Sequence, residues 1–262
     1  MARVLPFSAY ASPLRALMAT LALMALPAMQ GCMSLSPDVY KSSADTHRIW
    51  QPEDQLRWES VKLPGKVSTQ YALVKVKVKV EAGGTGHSSL QGTAHSAASM
   101  LRHQLRIEPD QLNDVIFSWQ VSNLIEGADM ALRDHDDSPV RVVLAFDGDR
   151  GRFSAKNAML NELALLVTGE PMPYATLMYV WCNKRPLNSV IENSRTDRIR
   201  KVVVESGAGR LNQWLSYERN IRADYEKAFG EPPGALIGIG LMTDSDNTRS
   251  FAQGWYGTIA LK

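Results

Sequence analysis

Carboxylates concentrate in three short stretches of this chain: Asp134-His135-Asp136-Asp137, Asp147-Gly148-Asp149 and Asp244-Ser245-Asp246-Asn247. Clustered carboxylates with an amide oxygen suit calcium, and two carboxyl groups flanking a glycosidic bond can serve as acid and base. The candidate ligand-binding residues are therefore Asp136, Asp137, Asp244, Asp246 and Asn247, with Asp244 and Asp246 the candidate calcium ligands; no other cofactor is expected. None of the stretches has the acidic spacing, central Gly and closing Glu of an EF-hand. The competing explanation is that each Asp caps a turn through its own backbone, and Asp147-Gly148 is the most turn-like. Ser245-Asp246-Asn247 spells one element of the serine β-lactamases, but the accompanying Ser-x-x-Lys and Lys-Thr-Gly do not occur. His87, His95 and His103 recur too far apart for a local metal pair, and nucleotide, phosphate-loop and zinc-protease motifs are missing. Trp119, Tyr179, Trp181, Trp255 and Tyr256 could stack on sugars, although aromatics on alternating strands more often belong to a core.

The acidic loops need strands to hold them. Ala235 to Met242 and Gly254 to Leu261 are apolar runs joined by the polar stretch that contains Asp244, Asp246 and Asn247. Further strand patterns cover Leu101 to Ile107, Val115 to Val121, Val140 to Phe146, Thr176 to Trp181 and Ile199 to Val204. Along Ala72 to Val80, valines alternate with Lys75, Lys77 and Lys79, and a Gly83-to-Gly86 turn follows. Such a lysine row reads as a solvated face that discourages edge pairing. Two helices interrupt the strands. One carries Met159, Leu163, Leu166 and Val167 as an apolar stripe and ends at Gly169; the other is expected from about Ser216 to Phe229, with Glu218–Arg222 and Arg222–Glu226 pairs on its surface. The fold class that follows is mainly β, an antiparallel sandwich of jelly-roll type with two inserted or flanking helices.

At the start of the chain, Arg3 and Arg15 precede the apolar run Ala16 to Leu26, which is too short for a comfortable membrane span. Gly31-Cys32 follows and resembles a bacterial lipobox. Residues 1–31 then form a lipoprotein-type signal peptide, Cys32 carries the lipid, 32–55 are a polar tether and 56–262 a single sandwich domain. Two signals, a diacylglycerol and an amide-linked chain, give the stable anchoring that one acyl chain cannot. With Met33 rather than Asp after the cysteine, the expected address is the outer membrane, facing the periplasm. Lys and Arg total 29 against 27 Asp and Glu, and Arg3 and Arg15 account for the difference. A balanced chain has no general pull on nucleic acid, which is excluded as a partner. Cys182 reads as a buried, inert thiol.

The segments Ile107-Glu-Pro-Asp110 to Trp119, Gly127-Ala-Asp129, Asp136-Asp137 with Arg141-Val-Val, Leu177 to Trp181, Asp224 to Gly230 and Met242 to Thr248 together are similar to a bacterial family catalogued as domain of unknown function 3047. That resemblance implies a secreted or lipid-anchored domain and transfers no catalytic residue; likeness to carbohydrate-binding jelly rolls is analogy at the level of fold. Two functions are left in competition. One is a non-catalytic envelope protein that binds a glycan or a protein. The other is a periplasmic polysaccharide hydrolase or lyase using the clustered aspartates.

Overall fold

A computed structural model describes residues 48–76 and 87–262. The expectations for the leader, for Cys32, for the tether up to residue 47, for Lys77 and Lys79 and for the glycine turn lie outside the described residues.

The chain runs β1 (Ile49–Trp50), β2 (Glu59–Lys62), β3 (Gln70–Val76), β4 (His87–His95), β5 (Ala98–Ile107), β6 (Asp114–Val121), β7 (Ser138–Phe146), α1 (Ala155–Thr168), β8 (Ala175–Cys182), β9 (Val190–Glu192), β10 (Ile199–Ser206), β11 (Leu215–Asn220), α2 (Ile221–Phe229), β12 (Leu236–Asp244) and β13 (Phe251–Leu261). Among the described residues the strands form two sheets. The front sheet has the order β11-β6-β13-β4-β3, with β1 pairing the far end of β13; the back sheet has the order β2-β5-β12-β7-β8-β10-β9. The molecule is the mainly-β sandwich expected. From β4 to β7, and again from β11 to β13, each strand crosses to the opposite sheet from the one before it. The apolar runs that flank the Asp244 loop are thus not a hairpin: β12 lies in the back sheet and β13 in the front.

Burial follows the sequence pattern. In β6, Val115, Phe117, Trp119 and Val121 are buried while Ile116, Ser118 and Gln120 are half-exposed, the alternation of a sheet with one open face. In β7 eight of nine positions are buried, because the back sheet is covered on both sides. Its outer face carries Met130, Val180, Cys182, Ile191 and Val203 as a second apolar cluster. At the centre of the main core the Phe117 ring lies 5.0 Å from Trp119 and 5.5 Å from both Tyr179 and Tyr217. Among the described residues the core clusters draw on the chain from Trp50 to Leu261.

Three local expectations give way to tertiary structure. The second helix begins at Ile221, not near Ser216, because Asn220 caps it by accepting from Ala223 N while Ser216 to Asn220 pair with β6 as β11. Glu218 is consequently on a strand and meets Lys262 rather than Arg222, whereas Arg222 and Glu226 do approach to 3.9 Å. β8 and β10 are parallel, linked through β9 and irregular chain instead of a helix. And the stripe on α1 points away from the core: Met159 is 61 % and Leu166 84 % exposed.

At one end the two sheets approach closely. Gly254 in β13 pairs with Gly92 in β4, and a Cβ on Gly254 would lie 2.3 Å from a Val140 methyl and 2.8 Å from the Pro139 carbonyl, while one on Gly92 would lie 2.6 Å from Thr243 Oγ1. Backbone cannot yield there as a flexible side chain would. Gly254→Ala should therefore destabilise the domain by about 1–3 kcal/mol, the usual cost of overpacking. Urea unfolding checks this, and an unchanged midpoint would show that the sheets can part at little cost.

Candidate functional site

β7 begins directly after Asp136 and Asp137, β12 ends at Asp244, and the register of the pair sets Asp244 opposite Ser138. That pairing brings the two acidic loops to one end of the back sheet, where Asp136, Asp137, Asp244, Asp246 and Asn247 all meet. Asp147 and Asp149 are elsewhere: Asp147 pairs with Arg106 and Arg150, and Asp149 accepts from Gly151 N as a turn cap.

Within the cluster every carboxylate has partners. Asp137 accepts from Asn247 N at 3.2 Å, Asn247 Nδ2 at 3.0 Å, Thr248 N at 2.7 Å and Thr248 Oγ1 at 2.6 Å. Asp244 accepts from Arg141 Nε at 2.9 Å, from its terminal nitrogen at 2.8 Å and from Ser138 N at 3.0 Å. Asp136 takes Lys201 Nζ at 2.6 Å, Asn193 Nδ2 at 3.1 Å and Arg141 at 3.2 Å, and Asp246 pairs with Lys66. Arg141 and Lys201 project from the outer face of the back sheet, and Lys201 also donates to the Met130 carbonyl at 2.9 Å. The group thus fastens the segment before β7 and the β12–β13 crossover onto the sheet.

Four carboxylates share three cations here, so one negative charge is in excess. Burial, with the Asp137 and Asp136 carboxylates beside it, pushes Asp244 up to about 7 against the pull of Arg141. Burial works in the same direction on Asp136, but Arg141 and Lys201 hold it below the usual carboxylate range. Burial, reinforced by the Arg141 charge, brings Lys201 down to about 8 against the attraction of Asp136.

One oxygen each of Asp137, Asp244 and Asp246 lies within 4.8 Å of the others, a spacing that a cation could bridge. Calcium at this point would have to displace donors from Arg141, Ser138, Asn247 and Thr248. Beside the cluster an open cleft of about 520 Å³ is lined by Lys156, Arg185, Ile191, Asn193 and Asp197. Asn193 belongs to both, while Arg185 is paired with Asp129 at 2.6 Å.

Sequence reasoning missed Arg141, Lys201, Thr248 and Lys66. For Arg141 a signal existed, since it is a lone cation between Val140 and Val142 in a strand buried on both faces; Lys201 follows Arg200 directly and carries no such signal.

A different surface emerges on the front sheet. Of the aromatics that could stack on sugars, Trp119, Tyr179, Trp181 and Tyr256 are in the core, at no more than 1 % exposure. Trp255 points outward and is half-exposed. It stands directly between Gln120 of β6 and Gln91 of β4. Gln253 and Thr93, hydrogen-bonded at 3.3 Å, extend the same face by one pleat, and Ser118 lies on its other side. None of these six side chains carries a charge.

The family described as a protein of unknown function, DUF3047, matches residues 56–260. The chain belongs to this family. No curated protein matches it. Among solved structures it is similar to the family 11 carbohydrate-binding module from Clostridium thermocellum in complex with a β-1,3-1,4-mixed-linked tetrasaccharide, at 11% identity over 82% of this chain and 94% of that one, with a TM-score of 0.37. It is similar also to the xyloglucanase domain of NopAA, a type three effector from Sinorhizobium fredii, at 8% identity over 79% and 99% of the two chains, again with a TM-score of 0.37. These overlaps are too loose to carry over a site or an activity.

The network itself makes a prediction. Removing one partner of a buried pair strands the other, so Arg141→Met and Asp244→Leu should each cost about 3–5 kcal/mol. The double variant should be at least about 1 kcal/mol more stable than the sum of the singles implies. Denaturant unfolding of all four proteins tests this, and strict additivity would show that the pair is not coupled.

Proposed function

We propose that this protein is a non-catalytic glycan-binding module of the bacterial cell envelope, held at the outer membrane by lipid on Cys32, with the open face of the front sheet as its binding surface. The observation that carries this reading is the row Gln120–Trp255–Gln91. An indole offers a flat apolar platform to the C–H face of a sugar ring. The amides on both sides offer donors and acceptors together, which matches hydroxyl groups that also do both. An uncharged row suits a neutral polymer better than an anionic one. A hydrolase or lyase using the aspartates has less support, because Asp136, Asp137 and Asp244 are tied to Arg141, Lys201, Asn247 and Thr248 rather than facing each other across open space.

Binding of soluble neutral oligosaccharides and of purified peptidoglycan, measured by calorimetry and pull-down, tests the surface. Trp255→Ala should weaken binding at least about tenfold, about 1.4 kcal/mol, with an unchanged melting temperature. Undiminished binding by the variant, or no binding by the wild type, would remove the row from consideration. Turnover of any of these glycans would replace the non-catalytic reading.

The anchor has its own test. Intact mass and detergent partitioning of the protein from cells should show a diacylated mature chain starting at residue 32, and Cys32→Ala should move to the aqueous phase. A wild type that stays aqueous and unmodified refutes the anchor and leaves the glycan surface untouched.

A further inference from the structure

α1 is built the wrong way round for a helix that serves a core. The residue it buries is Asn157, whose side chain donates to Asp197 at 2.5 Å and accepts from Thr196 at 2.8 Å. Further along the same side, Asn161 accepts from Met172 N at 2.9 Å, and Ala164 is half-buried. The opposite side presents Met159, Leu163, Leu165, Leu166 and Val167 to solvent, each between 47 % and 84 % exposed. An amphipathic helix normally turns its apolar stripe inward, and a contiguous exposed stripe marks a contact surface.

The occupant is narrowed by size, charge and reach. Five residues make too small a patch for a stable interface between two copies, which takes roughly 20–30 residues a side. The helix has 14 residues, and among the described residues no helix is long and apolar enough to cross a membrane, so α1 would lie along an interface, not through one. Its charged residues, Lys156 and Glu162, are both exposed; Glu162 stands three and four residues before Leu165 and Leu166 and borders the row of Met159, Leu163, Leu166 and Val167, which carries no charge within it. Chain between Cys32 and Arg48 reaches at most about 55 Å at roughly 3.5 Å per residue, about the width of such a domain. A domain held at Cys32 would therefore stay within touching distance of the lipid.

We propose that the outward stripe of α1 seats in the headgroup region of a phospholipid bilayer, fixing one side of the domain against the membrane surface. This rests on the anchoring reading for proximity alone, and the test removes the anchor. Residues 33–262, which include every described residue, are mixed with vesicles of phosphatidylethanolamine and phosphatidylglycerol and sedimented. The wild type should bind, and Leu163→Glu/Leu166→Glu should bind at least tenfold more weakly while melting at the same temperature, since both side chains are exposed. Leu187→Glu, at an exposed leucine outside the helix, should bind like the wild type. Failure of the wild type to bind, or equal binding by the double variant, overturns the proposal. So does a wild-type dimer in solution that the double variant abolishes, which would assign the stripe to a second copy. Loss of lipid at Cys32 with vesicle binding intact would refute the anchor and leave this inference standing.

Discussion

The ion pair of Arg141 with Asp244 is the contact on which much of this structure depends. Both side chains are almost completely buried, at 3 % and 4 % exposure. Charges taken out of water cost several kcal/mol each, and only close geometry with further hydrogen bonds offsets that cost. Arg141 supplies the fork, Ser138 and Asp136 complete it, and Lys201 and Asn193 hold Asp136 in turn. The chain cannot satisfy these groups unless the segment before β7 and the β12–β13 crossover both lie against the end of the back sheet. Asp137 then ties the second to the first through Asn247 and Thr248. A polar cluster that resembles a ligand site in sequence therefore fixes how two strands of one sheet connect to the other.

That fastening makes the faces of the sandwich unequal. The back sheet is covered over Met130, Val180 and Val203, and its outer face is a second interior. On the front sheet Gln91, Gln120 and Trp255 are left half-exposed, so a row of side chains on paired strands meets solvent there, beside Ser89, which is fully buried, and Trp214, which lies over Gly257. The flatness of the sheet there depends on small residues as well. A Cβ on Gly257 would meet Ser118 Oγ at 2.2 Å, and the Trp214 ring is within 3.5 Å of that point. Trp214 can lie against β13 only because nothing stands at Gly257. A platform set on paired strands is held more precisely than one on loops, which favours recognition of a repeating, extended ligand over a small one.

α1 shows the limit of reading amphipathicity as orientation. Its stripe of Met159, Leu163, Leu166 and Val167 has helical period, and Gly169 caps it in the left-handed conformation at φ 77°. Periodicity establishes that such a helix has an apolar side. Which way that side turns depends on what the neighbouring chain offers, and here the loop containing Thr196 and Asp197 offers hydrogen bonds to Asn157. In α2 the same question is answered conventionally, with Ile221 and Tyr225 buried and Tyr225 packed 4.7 Å from Phe146. It starts at Ile221 rather than near Ser216 because Ser216 to Asn220 carry both helical charge spacing and strand alternation, and Tyr217, stacked on Phe117 with its hydroxyl 2.8 Å from Glu205, favours the strand.

From the sequence alone one could determine the two-sheet class, the cores of eight strands, the existence of two helices, and the fact that Asp136, Asp137, Asp244, Asp246 and Asn247 stand at strand ends. Those are properties of local period and turn chemistry, which neighbouring residues decide among themselves. Tertiary structure decided what the aspartates do, because only the register of β7 against β12 brings Arg141 within reach of Asp244. It decided equally that Trp255 faces out while Tyr256 faces in, since alternation separates adjacent residues but does not say which side will be covered. The covering of a face is a contest among segments distant in sequence, won here by β7 and β12 beneath Tyr256, and no local pattern records its outcome.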